Sequence, residues 1–355
     1  MIFDGKRVLI TGGTGSLGKV LTRRILKGDH GTPRKVVVLS RDEAKQHEMR
    51  LSYLHQHATT DEVIYENFAR ALEFRIGDVR DYADVCGAVR DADIVVNAAA
   101  LKQVPTCEYF PEQAVLTNCM GPINIVRAVR EQGYPVETVV GVSTDKACKP
   151  VNVMGMSKAL QERIFVSANL HCGATRFVGV RYGNVLASRG SVIPLFHDQI
   201  RRGGPVTVTV PEMTRFLLSL EQAVDTVIAA IAGAGRGETY VPHAPSASVI
   251  NIARALVGDR PVEVRLAGIR PGEKMHEVLV SEEEFPRTLR HGDYYAIAPL
   301  LPELKGEAAE GGQPLTGELS SAHTVIDFEQ TLALLRRHHL MVGEATEDET
   351  GELLR

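Results

Sequence analysis

Short apolar runs rich in β-branched residues recur along the first half of the chain, and amphipathic segments separate them. The runs are KRVLITGG at 6–13, KVVVLS at 35–40, LEFRIGDV at 72–79, ADIVVNAAA at 92–100, VETVVGVST at 136–144 and TRFVGVRYGN at 175–184. Between them, segments such as 112–133 place apolar residues at helical spacing. Buried strands that alternate with helices predict a parallel sheet covered by helices on both faces.

The pattern of strands and helices changes after about residue 185. Pieces that contain Gly and Pro predict a smaller α/β lobe at 186–300, and segments from about 205–240 are expected to complete the large domain of residues 1–185. The polar, Gly-rich stretch 303–322 predicts a linker or surface loop. A further helix and an acidic tail complete the C-terminal part, residues 301–355.

Composition excludes several classes of protein. Apolar residues make up 44% of the 355 residues, enough for a sizeable core, and a net charge of −4 gives no reason to expect a nucleic-acid partner. No apolar run approaches the ~20 residues that span a bilayer, and the N-terminus runs directly into a strand. The five cysteines lack C-x-x-C spacing, so we predict free thiols, no metal site and a cytoplasmic protein without a membrane partner.

The first apolar run ends in the glycine-rich sequence TGGTGSLG, and a helical pattern follows it. Glycines allow a tight turn and let the backbone approach a pyrophosphate, whose charge is favoured at a helix N-terminus. The context of strand, turn and helix therefore predicts a dinucleotide site of the Rossmann type. The predicted contacts in this turn are Gly12, Thr14, Gly15, Ser16, Leu17 and Gly18.

The end of the second run indicates which dinucleotide binds. An NAD enzyme usually has an acidic residue here, which binds the ribose 2′-hydroxyl. This chain has Ser40 followed by Arg41, with Lys45 one helical turn later. A hydroxyl and two cations suit a 2′-phosphate, so NADP is favoured over NAD. The neighbouring Asp42 and Glu43 leave open the alternative of a solvent-exposed helix start.

The third and fourth runs complete the predicted cofactor site. Asp78 and Val79 follow the third run and are expected to contact the adenine. Ala98, Ala99 and Ala100 follow the fourth run, and their small side chains would let the backbone lie against the nicotinamide half. Because ligands of such sheets bind at the carboxyl ends of the strands, the sequence predicts a Rossmann-type, doubly wound parallel sheet with a smaller α/β substrate-binding lobe.

Several longer motifs resemble those of the extended short-chain dehydrogenases that act on nucleotide sugars, and most closely the soluble bacterial UDP-N-acetylglucosamine 4,6-dehydratases. The motifs are ITGGTGSLG, SRDEAKQ, AAALKQVP, STDKA, NVMGMSK, RYGNVLASRGSVIPLF, MTRF and GIRPGEKMHE. They span roughly residues 5–285, and the part beyond about residue 300 carries none of the resemblance.

The resemblance implies a reaction with a UDP-sugar substrate and bound NADP. Hydride leaves C4 of the sugar for NADP⁺, a base removes the proton of C5, the C6 hydroxyl leaves as water, and the hydride returns to C6. The product would be a UDP-2-acetamido-2,6-dideoxy-hexos-4-ulose for surface-glycan or deoxy-amino-sugar biosynthesis. The resemblance also implies inversion at C5 and a homo-oligomer, from dimer to hexamer.

The stretch STDKACKPVNVMGMSK at 143–158 supplies the catalytic groups that the resemblance implies. Thr144 would hydrogen-bond the C4 oxygen, Asp145 would be the acid toward the departing C6 oxygen, and Lys146 would be the base at C5. That role of Lys146 requires a lowered pKa, which we expect from burial and from the neighbouring Lys158. Lys158 would also hold the nicotinamide ribose.

Met154 departs from the family pattern, which has a Tyr four residues before the Lys. The Tyr deprotonates the C4 hydroxyl, and a Met cannot. We therefore predict that Asp145 takes this proton, directly or through Thr144. The alternative is that Met154 is a packing residue in a homologue without activity.

The resemblance also implies a set of residues that bind the nucleotide sugar. Arginine suits a diphosphate, since its planar guanidinium can bind two oxygens at once. The alternative is that these residues are surface charges and turn residues without a ligand. For Arg270, which precedes Pro271, a purely structural turn is such an alternative. The predicted substrate residues are Lys102, Asn184, Arg189, Ser191, Arg215, Arg270 and Glu273.

Three hypotheses follow for the function. The first is the 4,6-dehydratase. The second is a UDP-sugar 4-epimerase, which would share the cofactor site but usually keeps the Tyr and has no need of Asp145 and Lys146. The third is a catalytically silent NADP-binding module, which would bind cofactor without turnover.

Overall fold

The computed structural model describes residues 1–54, 68–186, 191–269, 272–304 and 312–344. Strands within these ranges are β1 (Arg7–Thr11), β2 (Lys35–Ser40), β3 (Leu72–Ile76), β4 (Ile94–Asn97), β5 (Thr138–Thr144), β6 (Arg176–Tyr182), β7 (Val206–Val208), β8 (Thr214–Phe216), β9 (Thr239–Pro242), β10 (Ser246–Ser248), β11 (Val264–Leu266), β12 (Val278–Val280), β13 (Thr288–His291), β14 (Tyr294–Ile297), β15 (Gln313–Pro314) and β16 (Leu319–Ser320).

Helices connect and cover these strands. The α-helices of the described ranges are α1 (Ser16–Lys27), α2 (Glu43–Leu54), α3 (Tyr82–Val89), α4 (Val104–Tyr109), α5 (Pro111–Val115), α6 (Gly121–Gln132), α7 (Val153–Ala168), α8 (Val192–Arg201), α9 (Leu220–Gly233), α10 (Val249–Val257) and α11 (Phe328–Arg337). A π-helical turn, Leu116–Met120, joins α5 to α6, and a 3₁₀ turn, Asp145–Ala147, follows β5.

The large sheet has the strand order β15-β13-β14-β9-β6-β5-β4-β1-β2-β3 in the described part of the chain. The seven strands from β9 to β3 run parallel, and β14, β13 and β15 add antiparallel strands at one edge. The order β3-β2-β1-β4-β5-β6 is that of a dinucleotide-binding Rossmann sheet. The predicted doubly wound fold is therefore confirmed.

Alternating strand residues explain why both faces of the sheet are covered. Val8 and Ile10 of β1 point into an apolar cluster with Leu21 of α1. Leu9, between them, points into a separate cluster on the other face with Ile125 of α6. Successive side chains of a strand point to opposite faces, so a continuous apolar run needs a helix on each side.

The smaller lobe has its own core and short strands. It contains the pairs β8–β10, β7–β11 and β12–β16, each a two-stranded sheet. Helices α8, α10 and α11 bury Phe196, Leu256 and Leu335 in one apolar cluster. This lobe lies beside the carboxyl end of β5, since β12 contacts the 3₁₀ turn that follows β5. The domain boundaries predicted from the sequence stay a prediction.

A buried ion network joins the lobe to the sheet. The guanidinium of Arg181 on β6 donates to Glu162 of α7 at 2.6 and 3.0 Å and to Glu284 at 2.7 and 2.9 Å. Burial favours the neutral form of Glu284, but the hydrogen bond and charge of Arg181 outweigh it and lower the pKa of Glu284 to about 2. A buried charge is tolerated when it is paired in this way.

The described part of the segment 303–322, which was predicted to be a linker or surface loop, contains two short strands. Gln313–Pro314 is strand β15 at the edge of the large sheet, and Leu319–Ser320 is strand β16, which pairs with β12. Short strands therefore form within the segment predicted as a linker or surface loop, because strand partners far along the chain override its polar composition. The predicted helix after it is α11, while 345–355 of the acidic tail lie outside the described residues.

Two further observations concern cysteines and membranes. All five cysteines carry free thiols, and four of them are buried, as predicted for scattered cysteines without a pairing pattern. Among the helices that the structure describes, none is both long enough and apolar enough to cross a bilayer.

Candidate active site

The glycine-rich turn between β1 and α1 is shaped by close contacts that exclude side chains. Gly12 has a φ of +65°, and a Cβ there would lie 2.7 Å from the backbone of Ala99 after β4. A Cβ on Gly18 would lie 2.4 Å from the Cα of Gly13. Larger residues would separate the helix from the strand, so these glycines are required for the turn to form.

A cavity of about 530 Å³ opens beside this turn at the carboxyl ends of the strands. It brings together most of the residues predicted to bind the cofactor, whereas Gly15, Ser16, Leu17, Gly18, Ala98 and Lys158 do not line it. Thr117, in the π-helical turn, lines the cavity and was missed by the sequence analysis, which had no motif pointing to it. The lining residues are Gly12, Thr14, Leu39, Ser40, Arg41, Asp42, Lys45, Gly77, Asp78, Val79, Ala99, Ala100 and Thr117.

The predicted 2′-phosphate residues stand at the rim of this cavity. The Ser40 hydroxyl accepts a hydrogen bond from Gln46 at 3.0 Å. Arg41 lies 3.6 Å from Asp78 with its side chain 53% exposed, and Lys45 pairs with Asp42 at 2.6 Å. Both cations are close enough to the cavity to meet an anion, and surface pairs of this kind are weak enough to rearrange.

Asp78 is held as a charged group at the end of the cavity that was predicted to bind adenine. Partial burial raises its pKa, but hydrogen bonds from the side chain and backbone of Arg80 and the charge of Arg41 lower the pKa by more, so the net shift is downward. At the other end, the Thr11 hydroxyl donates to Asn97 at 2.8 Å and accepts from the backbone of Ala99 at 3.3 Å. This fixes the backbone that was predicted to face the nicotinamide.

Thr144, Asp145 and Lys146 form one hydrogen-bonded group at the carboxyl end of β5. The Thr144 hydroxyl donates to Asp145 Oδ1 at 2.9 Å, and Lys146 Nζ donates to the same oxygen at 3.0 Å. Asp145 is fully buried, and its Oδ2 has no hydrogen-bond partner among the described residues. Gly183 leaves space for this oxygen, since a Cβ there would lie 3.3 Å from it.

The electrostatics of Lys146 differ from the sequence prediction. Burial disfavours the charged amine, but the carboxylates of Asp145 and Glu277 outweigh burial and raise the pKa of Lys146 above its ordinary value. The expected lowering of this pKa by burial and Lys158 was therefore wrong. The reason is that two anions contact the amine, and an opposite charge at contact distance favours the charged form.

Glu277 is a residue of this site that the sequence analysis missed. Its Oε1 lies 3.5 Å from Lys146 Nζ and 4.0 Å from Arg215 Nε, and its side chain is 3% exposed. Glu277 is the last residue of the motif GIRPGEKMHE, but this motif predicted only Arg270 and Glu273 as site residues. Arg215 also donates to the carbonyls of Thr214 and Met275, at 2.7 and 3.2 Å.

Lys158 and Met154 share helix α7 but have different surroundings. Lys158 is buried and donates to Gln161 at 2.6 Å, and burial lowers the pKa of Lys158 to about 8. Met154 is 4% exposed and packs in an apolar cluster with Cys107 and Ala114. Met154 therefore occupies a packing position beneath α4 and α5.

The other predicted substrate residues differ in how the structure places them. Arg189 and Arg270 lie outside the described residues. Asn184 Oδ1, Ser191 Oγ and Glu273 Oε2 are buried atoms without hydrogen-bond partners in the described part of the chain. Lys102 is exposed beyond β4. Buried polar atoms are normally paired, so three such atoms, one directly after β6 and two in the lobe, are consistent with a polar ligand.

Proteins of similar sequence include enzymes whose names state an activity on a UDP-sugar. A family profile described as polysaccharide biosynthesis protein matches residues 8–299. The UDP-N-acetylglucosamine 4,6-dehydratase (inverting) of Campylobacter jejuni subsp. jejuni serotype O:23/36 is 40% identical over 303 residues, which are 84% of this chain and 85% of that protein.

Two further relatives cover more of the chain. The UDP-glucose 4-epimerase of Rickettsia bellii (strain OSU 85-389) is 40% identical over 340 residues, 94% of this chain and 90% of that protein. The X-ray structure of Pen from Bacillus thuringiensis matches with a TM-score of 0.85 and 33% identity, covering 96% of this chain and 100% of that chain. Similarity at this level extends over both the sheet and the lobe.

Proposed function

This chain belongs to the polysaccharide biosynthesis protein family of the extended short-chain dehydrogenases, and we propose that it is a UDP-N-acetylglucosamine 4,6-dehydratase that inverts C5. The observation that carries the proposal is the contact of Asp145 with Lys146 at the end of β5. Water loss needs an acid and a base beside C5 and C6, and this pair supplies both. A 4-epimerase needs neither group, so the site favours the dehydratase.

Each group of the site has a proposed task. Thr144 hydrogen-bonds the C4 oxygen and passes its proton to Asp145, to which its hydroxyl already donates at 2.9 Å. Asp145 later gives this proton to the departing C6 oxygen. Lys146 accepts the proton of C5, and Lys158 holds the ribose of the cofactor. When bound, NADP⁺ takes a hydride from C4 and returns it to C6.

The choice of NADP over NAD is supported by Ser40 and by the two cations at the rim of the cavity. We expect Arg41→Ala to weaken NADP binding by about tenfold or more, because a charge-assisted hydrogen bond is worth about 1.5–3 kcal/mol. NAD binding should change much less. Titration of the purified protein with each dinucleotide measures both constants, and an equal loss for the two would mean that Arg41 does not meet the 2′-phosphate.

Met154 is proposed to be a packing residue without a chemical role. Met154→Leu should keep kcat and cost less than about 1.5 kcal/mol of unfolding free energy, since the two side chains have similar volumes. Met154→Ala should cost about 2–5 kcal/mol through the cavity that it leaves. Denaturant unfolding and steady-state rates check both variants. A Leu variant that folds normally but loses most of its activity would show that the thioether takes part in the reaction.

Location and assembly stay predictions. The five free thiols support a cytoplasmic protein. Exposed apolar side chains support a homo-oligomer, from dimer to hexamer, because Tyr109 and Phe110 after α4 and Met156 and Leu160 on α7 are all more than half exposed. Such residues are enriched at interfaces between subunits.

The competing functions give different products from one substrate. Incubation of the protein with UDP-N-acetylglucosamine, followed by NMR of the sugar, should yield a UDP-6-deoxy-4-keto sugar. UDP-N-acetylgalactosamine would instead indicate the epimerase, which the name of the Rickettsia relative keeps as the second candidate. Unchanged substrate would favour a silent cofactor-binding module.

A further inference from the structure

Four charged side chains of alternating sign form a chain through the site. Asp145 contacts Lys146 at 3.0 Å, Lys146 lies 3.5 Å from Glu277, and Glu277 lies 4.0 Å from Arg215. The first two residues belong to the sheet domain, while Glu277 and Arg215 belong to the lobe. The lobe therefore contributes charges to the catalytic pair itself.

Glu277 is fixed in place from several sides. Its backbone N–H donates to the Ser321 hydroxyl at 2.9 Å, and Ser321 directly follows strand β16. The preceding His276 is held by a 2.8 Å hydrogen bond to the Thr214 hydroxyl. The second carboxylate oxygen, Oε2, is buried and has no hydrogen-bond partner among the described residues. A buried carboxylate with an unused oxygen can accept a proton at little structural cost.

The charge state of Lys146 creates a problem that the proposed function must solve. Asp145 and Glu277 raise the pKa of Lys146, so its amine is protonated at neutral pH and cannot accept the C5 proton. Asp145 cannot take the ammonium proton of Lys146, because Asp145 already takes the proton of the C4 hydroxyl. Arg215 also acts on the amine, but it is a cation, and Glu277 is the second carboxylate that acts on it. Lys158 is a cation as well, and its amine donates a hydrogen bond to Gln161.

We propose that Glu277 is a positioning residue that takes the ammonium proton of Lys146 and holds it while Lys146 acts as the base at C5. An N–H bond of Lys146 breaks and an O–H bond forms on Glu277, across the 3.5 Å between Nζ and Oε1. Arg215 lies 4.0 Å from the same carboxylate oxygen, on the lobe side of Glu277. The inference rests on the proposed dehydratase function.

The proton count closes over one turnover. The resting group carries one proton, on Lys146. The C4 hydroxyl adds a second, which goes to Asp145, and the ammonium proton moves to Glu277. Lys146 then takes the C5 proton, Asp145 gives its proton to the leaving hydroxyl, and one proton returns to C5. One proton then remains on the group, and it ends on Lys146, as before the turnover.

The pH dependence of Glu277→Gln tests this transfer. In the natural protein the proton moves within the site, so kcat should vary little with pH around neutrality. The amide of Gln cannot take a proton, so Lys146 must lose its proton to solvent. The variant should therefore lose about tenfold or more in kcat at neutral pH, within the range typical of proton-transfer catalysis, and recover activity as pH rises.

Matched variants separate this effect from a structural one. Glu277→Asp keeps a carboxylate and should restore a flat pH profile. Glu282→Gln changes a glutamate whose side chain is 69% exposed, and it should match the natural protein. A Glu277→Gln variant that is unchanged, or that loses the same factor at every pH, would overturn the inference.

A second measurement needs neither substrate nor cofactor. Titration of ¹³Cε-lysine signals by NMR, with Lys146 assigned from Lys146→Gln, gives the pKa of this amine. Removing the Glu277 charge should lower it, and an unchanged value would overturn the inference. If the natural protein gave no 6-deoxy product while this pKa still fell, the proposed function would fail and the coupling of Glu277 to Lys146 would stand.

Discussion

Lys146→Gln should lower kcat for water loss from UDP-N-acetylglucosamine by about 10²–10⁴-fold, the range typical of a lost general base. The glutamine side chain keeps a polar group near Asp145 and Glu277 but cannot accept the proton of C5. Because that proton must leave before the C6 hydroxyl can, the elimination stops at this point. Product formation by NMR and steady-state rates measure the loss.

The matched control for Lys146 is Lys35→Gln. Lys35 is the first residue of β2 and therefore lies at the amino ends of the parallel strands, away from the site. Its half-exposed amine pairs with Glu73 at 2.6 Å. This change should leave kcat and KM as they are. If Lys146→Gln retained a rate close to that of the control, another group would have to be the base, and the role of Lys146 would be wrong.

Asp145→Asn should also lower kcat by about 10²–10⁴-fold, because an amide can neither take the C4 proton nor give one to the C6 oxygen. The change is nearly isosteric, and Glu277 still lies 3.5 Å from the Lys146 amine, so the variant should fold with a lower free energy of unfolding. Steady-state kinetics together with a thermal unfolding curve separate the loss of chemistry from a loss of structure.

Two results would decide the role of Asp145. Asp198→Asn, at a half-exposed aspartate of α8 that pairs with Arg202, provides the control and should behave as the natural protein does. A folded Asp145→Asn variant with a nearly normal kcat would contradict the proposed proton path through Thr144. KM for the UDP-sugar should change little in either variant, since neither carboxylate is proposed to hold the substrate.

The fold and the cavity beside the glycine-rich turn were predictable from the sequence because local signals carry them. Runs of β-branched residues predicted the strands, and the glycines of TGGTGSLG predicted the turn in which Gly12 meets Ala99. These features depend on neighbours in sequence or on the strand order of one fold. The fold was confirmed, and the structure brings Ser40, Asp78 and Ala100 to one cavity as the motifs predicted.

The electrostatics of the site were not predictable in the same way. The direction of the pKa shift of Lys146 depends on Glu277, which reaches the amine from a distant part of the chain. Strand β16 could not be predicted from its polar, Gly-rich segment, because its partner β12 supplies the pairing. Contacts of long sequence separation decided both features, and a single sequence gives no direct signal for such contacts.

The surroundings of Met154 show what this side chain does at the position where the family pattern has a Tyr. Met154 fills an apolar cluster with Cys107 and Ala114, so the position serves packing beneath α4 and α5. The titratable groups lie instead at the end of β5, where Thr144, Asp145 and Lys146 share hydrogen bonds. The proton path is therefore proposed to run through these three residues and Glu277.

The central claim is that the protein removes water from the sugar, and the fate of the C4 hydrogen tests it most directly. UDP-N-acetylglucosamine carrying deuterium at C4 should give a 4-keto product with one deuterium in its C6 methyl group, detected by NMR. If the deuterium stays at C4 in a product whose C6 still carries its hydroxyl, the protein is an epimerase and the claim is wrong.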